Sequence, residues 1–321
     1  MTENAICSFD IGGSKIVCAR VAWDLSLVET GREATCSADF AGFCEQILRL
    51  ADQSGCAGPL ALSIAGVIHP ESGIIHAANI PAVNGRRLAL ELSALSGRAV
   101  HVINDANAFA LAEAHCGVAR GHDVVFAAIL GTGLGGALVL NQRILTGAGG
   151  TAGEWGHGPL PVVSAGLTNR VPGAASLPQL QCGCGQTGCV ETLTGARGLE
   201  RLHLHLSGTT ADSRQILSQW HQGAGAASDT VAVFVDILGG ALAQVINIID
   251  PSVVPLGGGL AGDAALVAAL NGEVNRRRLG AAGRGAARAG SSDLLIAAVE
   301  GGERGLIGAA LFARQAQANT G

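Results

Sequence analysis

A strand, a glycine turn carrying a hydroxyl residue, and a second strand form a unit that occurs twice in this chain. In the first copy, Ala5-Ile-Cys-Ser-Phe-Asp10-Ile leads through Gly12, Gly13, Ser14 and Lys15 into Ile16-Val-Cys-Ala-Arg-Val21. In the second, Val124-Val-Phe-Ala-Ala-Ile-Leu130 leads through Gly131, Thr132 and Gly133, with Leu134, Gly135 and Gly136 beyond, into Ala137-Leu-Val-Leu140. One glycine hairpin alone can be purely structural. Two copies with the hydroxyl inside the turn point to an internally duplicated architecture and to phosphates approaching backbone amides.

Around these units, hydrophobic periodicity predicts helices at about 39–54, 86–96 and 108–116 and strands at about 59–65 and 99–103. Further on, about 194–206, 210–223 and 227–249 read as helices. Val253-Val-Pro-Leu256 reads as a strand running into Gly257, Gly258 and Gly259, and about 303–317 as a closing helix. This alternation is α/β, with helices covering the sheets. A length of 321 residues suits two lobes better than one core. The lobes are expected at 1–110, joined by the closing helix 303–321, and at 111–302, with a cleft near residue 110.

The formal net charge of −5 argues against non-specific nucleic-acid binding, which needs a basic face. A solvated loop or helix face suffices for the basic cluster Arg276, Arg277, Arg278, Arg284 and Arg288. No basic segment followed by a long apolar one opens the chain, so no signal peptide is expected. Asp236, Gln244 and Asn247 interrupt the apolar stretch from Val231 to Ile249, which predicts a buried helix rather than a membrane span. Cys7, Cys18, Cys36, Cys44, Cys56 and Cys116 are scattered singly, like free thiols, and a reduced cytoplasm is the expected setting.

Cys182, Cys184 and Cys189 are different: three thiols in eight residues. The nearest plausible fourth ligand is His157, in Gly153-Glu-Trp-Gly-His157. Zinc favours a tetrahedral set of thiolate and imidazole, and Cys₃His with every position filled is a structural site. Glycines at 183, 185 and 188 let the loop fold back on one centre. Buried free thiols are the bland alternative, and a disulfide fits poorly because Cys182 and Cys184 are too close in sequence.

Phosphoryl transfer asks a protein mainly for positioning and charge neutralisation. The two turns could supply N–H groups and hydroxyls to a polyphosphate. There is no G-x-x-x-x-G-K-[ST] loop, and Gly131-Thr-Gly-Leu-Gly-Gly136 precedes a strand rather than a helix, so P-loop and dinucleotide readings are poor. Asp10, ending the first strand, could orient a magnesium ion on the phosphates or simply cap its turn. Asp105, at a strand end beside Asn104 and Asn107, is a candidate general base; equally, it could be the N-cap of the following helix, a job Asn107 could also do.

Asp10-Ile-Gly-Gly-Ser-Lys15, Asn104-Asp105, Leu130-Gly-Thr-Gly133, Gly153-Glu-Trp-Gly-His157, Cys182-x-Cys-Gly-x-x-Gly-Cys-x-Glu191 and Gly257-Gly-Gly259 occur in this order. Together they resemble the ROK family (repressors, open reading frames, kinases) of bacterial sugar kinases, from about residue 5 to 315. The resemblance implies an actin-like ATPase fold of two lobes with a small zinc loop at 157–191. It also implies transfer of the γ-phosphate of ATP, with Mg²⁺, to a sugar hydroxyl. By the family pattern Asp105 takes the proton of the 6-hydroxyl, and Asn79, Asn104, Glu154, His157 and Glu191 hold the sugar, His157 doubling as metal ligand. Asp10, Gly12, Gly13, Ser14 and Lys15, then Gly131, Thr132, Gly133, Gly135 and Gly136, match the phosphate turns, and Gly257, Gly258 and Gly259 the nucleotide end. Two departures are Ser14, where threonine is usual, and Ser63-Ile-Ala-Gly66, where relatives commonly have Gly-Ile-Pro-Gly.

Within the family, His76-Ala-Ala-Asn-Ile-Pro-Ala-Val-Asn-Gly85 resembles the N-acetylglucosamine kinases, and small residues at 77, 78 and 82 would leave room for an acetamido group. Gly150-Thr-Ala-Gly-Glu-Trp-Gly-His-Gly-Pro-Leu-Pro161 resembles instead the fructokinase and mannokinase branch, and glucose stays open as a substrate. Sugar-responsive repressors of the family carry a DNA-binding segment ahead of the first phosphate turn, for which Asp10 leaves no space here. A catalytically inactive sugar-binding regulator is a further alternative. A small-molecule sugar is the expected partner, with neither nucleic acid nor membrane; a homodimer stays open.

Overall fold

The fold is that of a computed structural model, which describes residues 5–279, 293–299 and 303–318; Arg284 and Arg288 lie outside the described residues. By internal contacts the chain divides into two compact units. The first comprises Met1–Asp123, Ala137–Ala152 and Val299–Gly321, and the second Val124–Gly136 and Gly153–Ala298.

The chain runs β1 (Ala5–Ile11), β2 (Lys15–Ala22), β3 (Leu27–Ala34), α1 (Phe40–Gln53), β4 (Leu60–Ile64), β5 (Val67–Ile68), β6 (Ile75–His76), α2 (Leu88–Ser96), β7 (Val100–Asn104) and α3 (Asp105–Cys116). The first sheet has the order β3-β2-β1-β4-β7, with β1 antiparallel to β2 and parallel to β4, and β4 parallel to β7. Both faces of its centre are covered. Phe9, Ile11, Leu60, Leu62 and Ile64 share a core with Phe43, Ile47 and Leu50 of α1. On the other face, Ile6 and Ala61 pack with Leu111 and Ala112 of α3 and with Ala309 and Ala310 of the closing helix α9 (Glu303–Ala318). Two covered faces explain why β1 and β4 are mostly apolar on both sides rather than alternating, as parallel strands are.

α1 starts where the Asp39 carboxylate accepts the Gly42 N–H at 2.7 Å. Its buried Phe43, Ile47 and Leu50 recur at helical spacing. α3 and α9 cross so closely that a Cβ on Gly308 would run into the Ala108 carbonyl, and Arg304 pairs with the fully buried Glu113 at 2.8 Å. The boundary expected at 110/111 would cut α3. The division falls after Asp123 instead, because Leu111 and Ala112 share one core with α9.

The rest of the chain runs β8 (Val124–Leu130), β9 (Leu134–Leu140), β10 (Arg143–Leu145), α4 (Ala165–Arg170), α5 (Ala196–Ser207), α6 (Ser213–His221), α7 (Gly225–Ile249), β11 (Val254–Gly257), α8 (Ala264–Arg277) and β12 (Leu295–Ala297), closed by α9. The second sheet has the order β10-β9-β8-β11-β12, with β11 parallel to β8 and β12. Its meander into parallel strands repeats the plan of the first sheet, as the two glycine turns suggested. α7 is long and apolar enough to cross a membrane, but much of it is buried against α5, α6 and α8.

Among the elements absent from the pattern reading are β3 and α8. β3 escapes it because Glu29, Arg32 and Glu33 stud an edge strand, where charge deters further pairing. α8 escapes it although Asp263 caps it through the Leu266 N–H at 2.9 Å. Arg276 to Arg278 end α8, where cations suit the helix dipole. Arg277 is not simply solvated: it holds Asp236 and Glu273, both nearly buried, at 2.5 Å each.

Candidate active site and metal centre

In the first unit, β1 delivers Asp10 to its carboxyl end and the chain turns through Gly12, Gly13 and Ser14, closed by the Gly12 N–H on the Lys15 carbonyl at 2.9 Å. Thr35 adds a hydroxyl bond to the Gly12 carbonyl at 2.7 Å. Gly13 is obligatory: a Cβ there would lie 2.7 Å from the Asn79 carbonyl oxygen. Asn79 is therefore held against the first turn. Ser63, fully buried, donates to Asp10 at 3.1 Å. The departure at position 63 thus orients the acid. Burial raises the Asp10 pKa above the usual carboxylate range, opposed by the Ser63 hydroxyl and the Lys15 charge.

Asn104 ends β7 and caps α3, its Oδ1 accepting the Asn107 N–H at 3.1 Å while its Nδ2 donates to the Gly66 carbonyl at 3.0 Å. α3 therefore begins at Asp105, three residues earlier than the pattern predicts. Of the capping alternatives, neither Asp105 nor Asn107 supplies the cap. The Asp105 side chain is exposed and accepts the Ala106 N–H at 2.9 Å. Of the small residues expected to leave room for an acetamido group, Ala77 and Ala82 are buried in the core shared with α1, Ala77 against Gly66. Of the three small residues, Ala78 alone is exposed.

In the second unit, residues 158–160 pair with 188–190. The Val190 N–H donates to the Gly158 carbonyl at 2.9 Å, and the Leu160 N–H to the Gly188 carbonyl at 3.0 Å. This short ladder brings His157 to the cysteines. The thiols fold back through the Cys182 N–H on the Gln186 carbonyl at 2.8 Å, with Gly185 and Gly188 at positive φ. The ligand atoms of His157, Cys182, Cys184 and Cys189 all lie within 4.8 Å of one another. Cys184 Sγ is 3.6 Å from Cys189 Sγ, and Cys182 Sγ is 3.5 Å from His157 Nδ1. A zinc tetrahedron with bonds of about 2.0–2.3 Å has edges of about 3.5–3.8 Å, so the set fits. Burial pushes the Cys182 thiol up to about 12, whereas a backbone N–H from Gln186, first among several hydrogen bonds, lowers Cys184 to about 7.

With Nδ1 turned to the thiols, His157 Nε2 faces Glu154 at 3.5 Å, the carboxylate–histidine arrangement that orients metal ligands. Burial raises the Glu154 pKa, opposed by the nearby His157. Glu191 bridges: Oε1 is 3.1 Å from Cys182 Sγ and 3.8 Å from His157 Nδ1, while Oε2 accepts the Leu134 N–H at 3.4 Å.

The second turn is held from several sides. Gly131 and Thr132 accept the N–H groups of Ala196 and Arg197 at 2.8 and 3.3 Å, so α5 starts on the turn. Gly195, at φ +80, leaves no room for a Cβ, which would sit 2.9 Å from the Gly133 carbonyl. Gly257 ends β11, and Gly258 packs on the Leu130 carbonyl, with Gly259 exposed beside it. Glu154, His157, Glu191, the three cysteines, Gly131 to Gly136 and Gly257 to Gly259 thus all lie in the second unit, and Asp10, Gly12 to Lys15, Asn79, Asn104 and Asp105 in the first. Pattern reading missed Trp155, whose indole N–H donates to the Gly135 carbonyl at 2.8 Å. A lone tryptophan beside a glycine turn is its only sequence signal.

Comparison with known proteins gives a consistent picture. The profile of the ROK family matches residues 6–316. An N-acetylgalactosamine kinase of Shewanella sp. is 37% identical over 265 residues, covering 81% of this chain and 83% of the relative. An N-acetyl-D-glucosamine kinase of Salmonella heidelberg is 35% identical over 268 residues, covering 82% and 86%. The crystal structure of a ROK hexokinase from Thermus thermophilus superposes with a TM-score of 0.81 at 30% identity, covering 99% of this chain and all of that one. On these matches, the duplicated strand–turn–strand plan and the Cys₃His loop, the chain belongs to the ROK family.

Proposed function

We propose that this chain is an ATP-dependent sugar kinase that phosphorylates the 6-hydroxyl of N-acetylglucosamine, with Asp105 as general base. The observation that supports the role of Asp105 is its exposed carboxylate just past the carboxyl end of β7, beside Asn104. In this reading Asp105 takes the proton of the 6-hydroxyl as O6 forms its bond to the γ-phosphorus. The bond from that phosphorus to the β-phosphate bridging oxygen breaks, and ADP leaves with the electron pair.

Gly12 to Lys15 and Gly131 to Gly136 cradle the phosphates, Gly257 to Gly259 take the nucleotide end, and Asp10 orients the Mg²⁺ that neutralises phosphate charge. Asn79, Asn104, Glu154, His157 and Glu191 hold the sugar. Zinc on His157, Cys182, Cys184 and Cys189 is structural, holding both glutamates on one rigid segment.

N-acetylhexosamine rather than a plain hexose is favoured by the two most identical relatives described above. Because one of them is named for N-acetylgalactosamine, that sugar is the second reading. Coupled assay of ADP release with N-acetylglucosamine, N-acetylgalactosamine, N-acetylmannosamine, glucose, mannose and fructose tests the assignment. The highest kcat/KM on N-acetylglucosamine is the expected result. A preference for N-acetylgalactosamine moves it to the second reading, and no turnover on any of the six overturns it.

A further inference from the structure

The segment that carries Glu154 and His157 lies directly on the second phosphate turn, and Trp155 joins the two. Its Nε1–H donates to the Gly135 carbonyl at 2.8 Å. A Cβ on Gly136 would lie 2.5 Å from Trp155 Cδ1 and 2.7 Å from the Gly153 carbonyl oxygen. A Cβ on Gly156 would lie 2.8 Å from Leu134 Cβ. The backbones are therefore in contact on both sides of the indole. The ring is held from beneath by Phe126 of β8, edge to face, with centroids 6.0 Å apart and planes at 84°. Phe126 is fully buried in the strand that feeds the turn. The indole orientation is thus set by the same strand that sets the turn.

We propose that Trp155 is a positioning residue: its indole N–H locks the turn Gly131–Gly136 to the segment Glu154–His157, fixing where the sugar lies relative to the phosphate to be transferred. This rests on the kinase reading above. Glu191 makes a second tie, since its Oε2 accepts the Leu134 N–H while its Oε1 faces the metal ligands. That tie passes through the metal loop, whereas the indole bond joins turn and segment without it. The physical need is strict: misplacement of reacting groups by about 1 Å can cost on the order of 10²-fold in rate. Orientation acts on the chemical step, so its loss lowers kcat and kcat/KM together.

The decisive variant is Trp155→Phe, which keeps an aromatic ring against Phe126 and removes the N–H. The expected result is a fall in kcat of roughly 10-fold or more. Sugar KM should change by less than about 3-fold, and metal content by elemental analysis should stay at the wild-type level. Trp155→Leu, which also loses the ring, should add a lowered melting temperature. Wild-type kcat in folded Trp155→Phe overturns the proposal. So does a rise in sugar KM with kcat unchanged, which would make Trp155 a simple binding contact. Failure of the underlying reading is distinguishable, because then the wild-type protein itself turns over none of the sugars.

Discussion

The Asn104 side-chain oxygen accepts the backbone N–H of Asn107 at 3.1 Å, so the residue before Asp105 caps α3. The same side chain reaches the Gly66 carbonyl through Nδ2. One amide therefore ties the strand end carrying the candidate base to the neighbouring loop.

Replacing Asp105 by Asn keeps the shape and removes the proton acceptor. Turnover should drop by roughly 10²–10⁴-fold, with melting temperature near wild type. Steady-state ADP release together with a thermal melt checks this, and unchanged turnover in folded protein would remove Asp105 from the mechanism. Asn104→Ala should behave differently, losing about 1 kcal/mol of stability with the cap.

Protein purified without added metal should carry one zinc per chain, seen as a mass increment under native spray conditions. Cys182→Ser removes one of the four candidate metal ligands, which also faces Glu191. Zinc loss, a lower melting temperature and a weakened sugar affinity should appear together. A metal-free wild-type protein with full activity would refute the structural role.

Gly195→Ala should damage nucleotide handling. Its φ of +80 strains any side chain, and the Cβ would press on the backbone of Gly133. The expected outcome is a raised KM for ATP, with sugar affinity in the absence of nucleotide little changed. Calorimetric titration of ADP and of sugar separately checks it, and equal ADP affinity in mutant and wild type would count against a phosphate role for the turn.

His203 predicts a pH dependence. It is buried, and Thr230, whose hydroxyl hydrogen goes to the Ala226 carbonyl, leaves its oxygen to accept from His203 Nδ1 at 2.8 Å. Desolvation lowers its pKa below the ordinary histidine value. Above about pH 6.5 it is uncharged in both folded and unfolded chains and contributes no pH dependence. Below that value the unfolded chain binds a proton that the folded chain resists, so stability falls as pH falls. Denaturant midpoints between pH 8 and pH 5 should drop less steeply in His203→Gln than in wild type. Parallel slopes would show that the acid sensitivity arises elsewhere.

Local patterns along the chain are enough for the α/β class, the duplicated turn plan and the Cys₃His set. These rest on local physics: apolar runs long enough for strands, glycines where the backbone must turn tightly, and soft ligands at short spacing. Which of several equivalent polar residues makes which contact depends on packing between distant segments. Asn104 rather than Asp105 or Asn107 caps α3, because Gly66 stands where its amide can also donate. Ala77 and Ala82 are buried while Ala78 between them in the chain is exposed, because the loop after β6 packs into the core shared with α1. Trp155 reaches Gly135 across a separation of 20 residues. No periodicity encodes such a bond, since it exists only once β8 has placed Phe126 and the following turn under the indole.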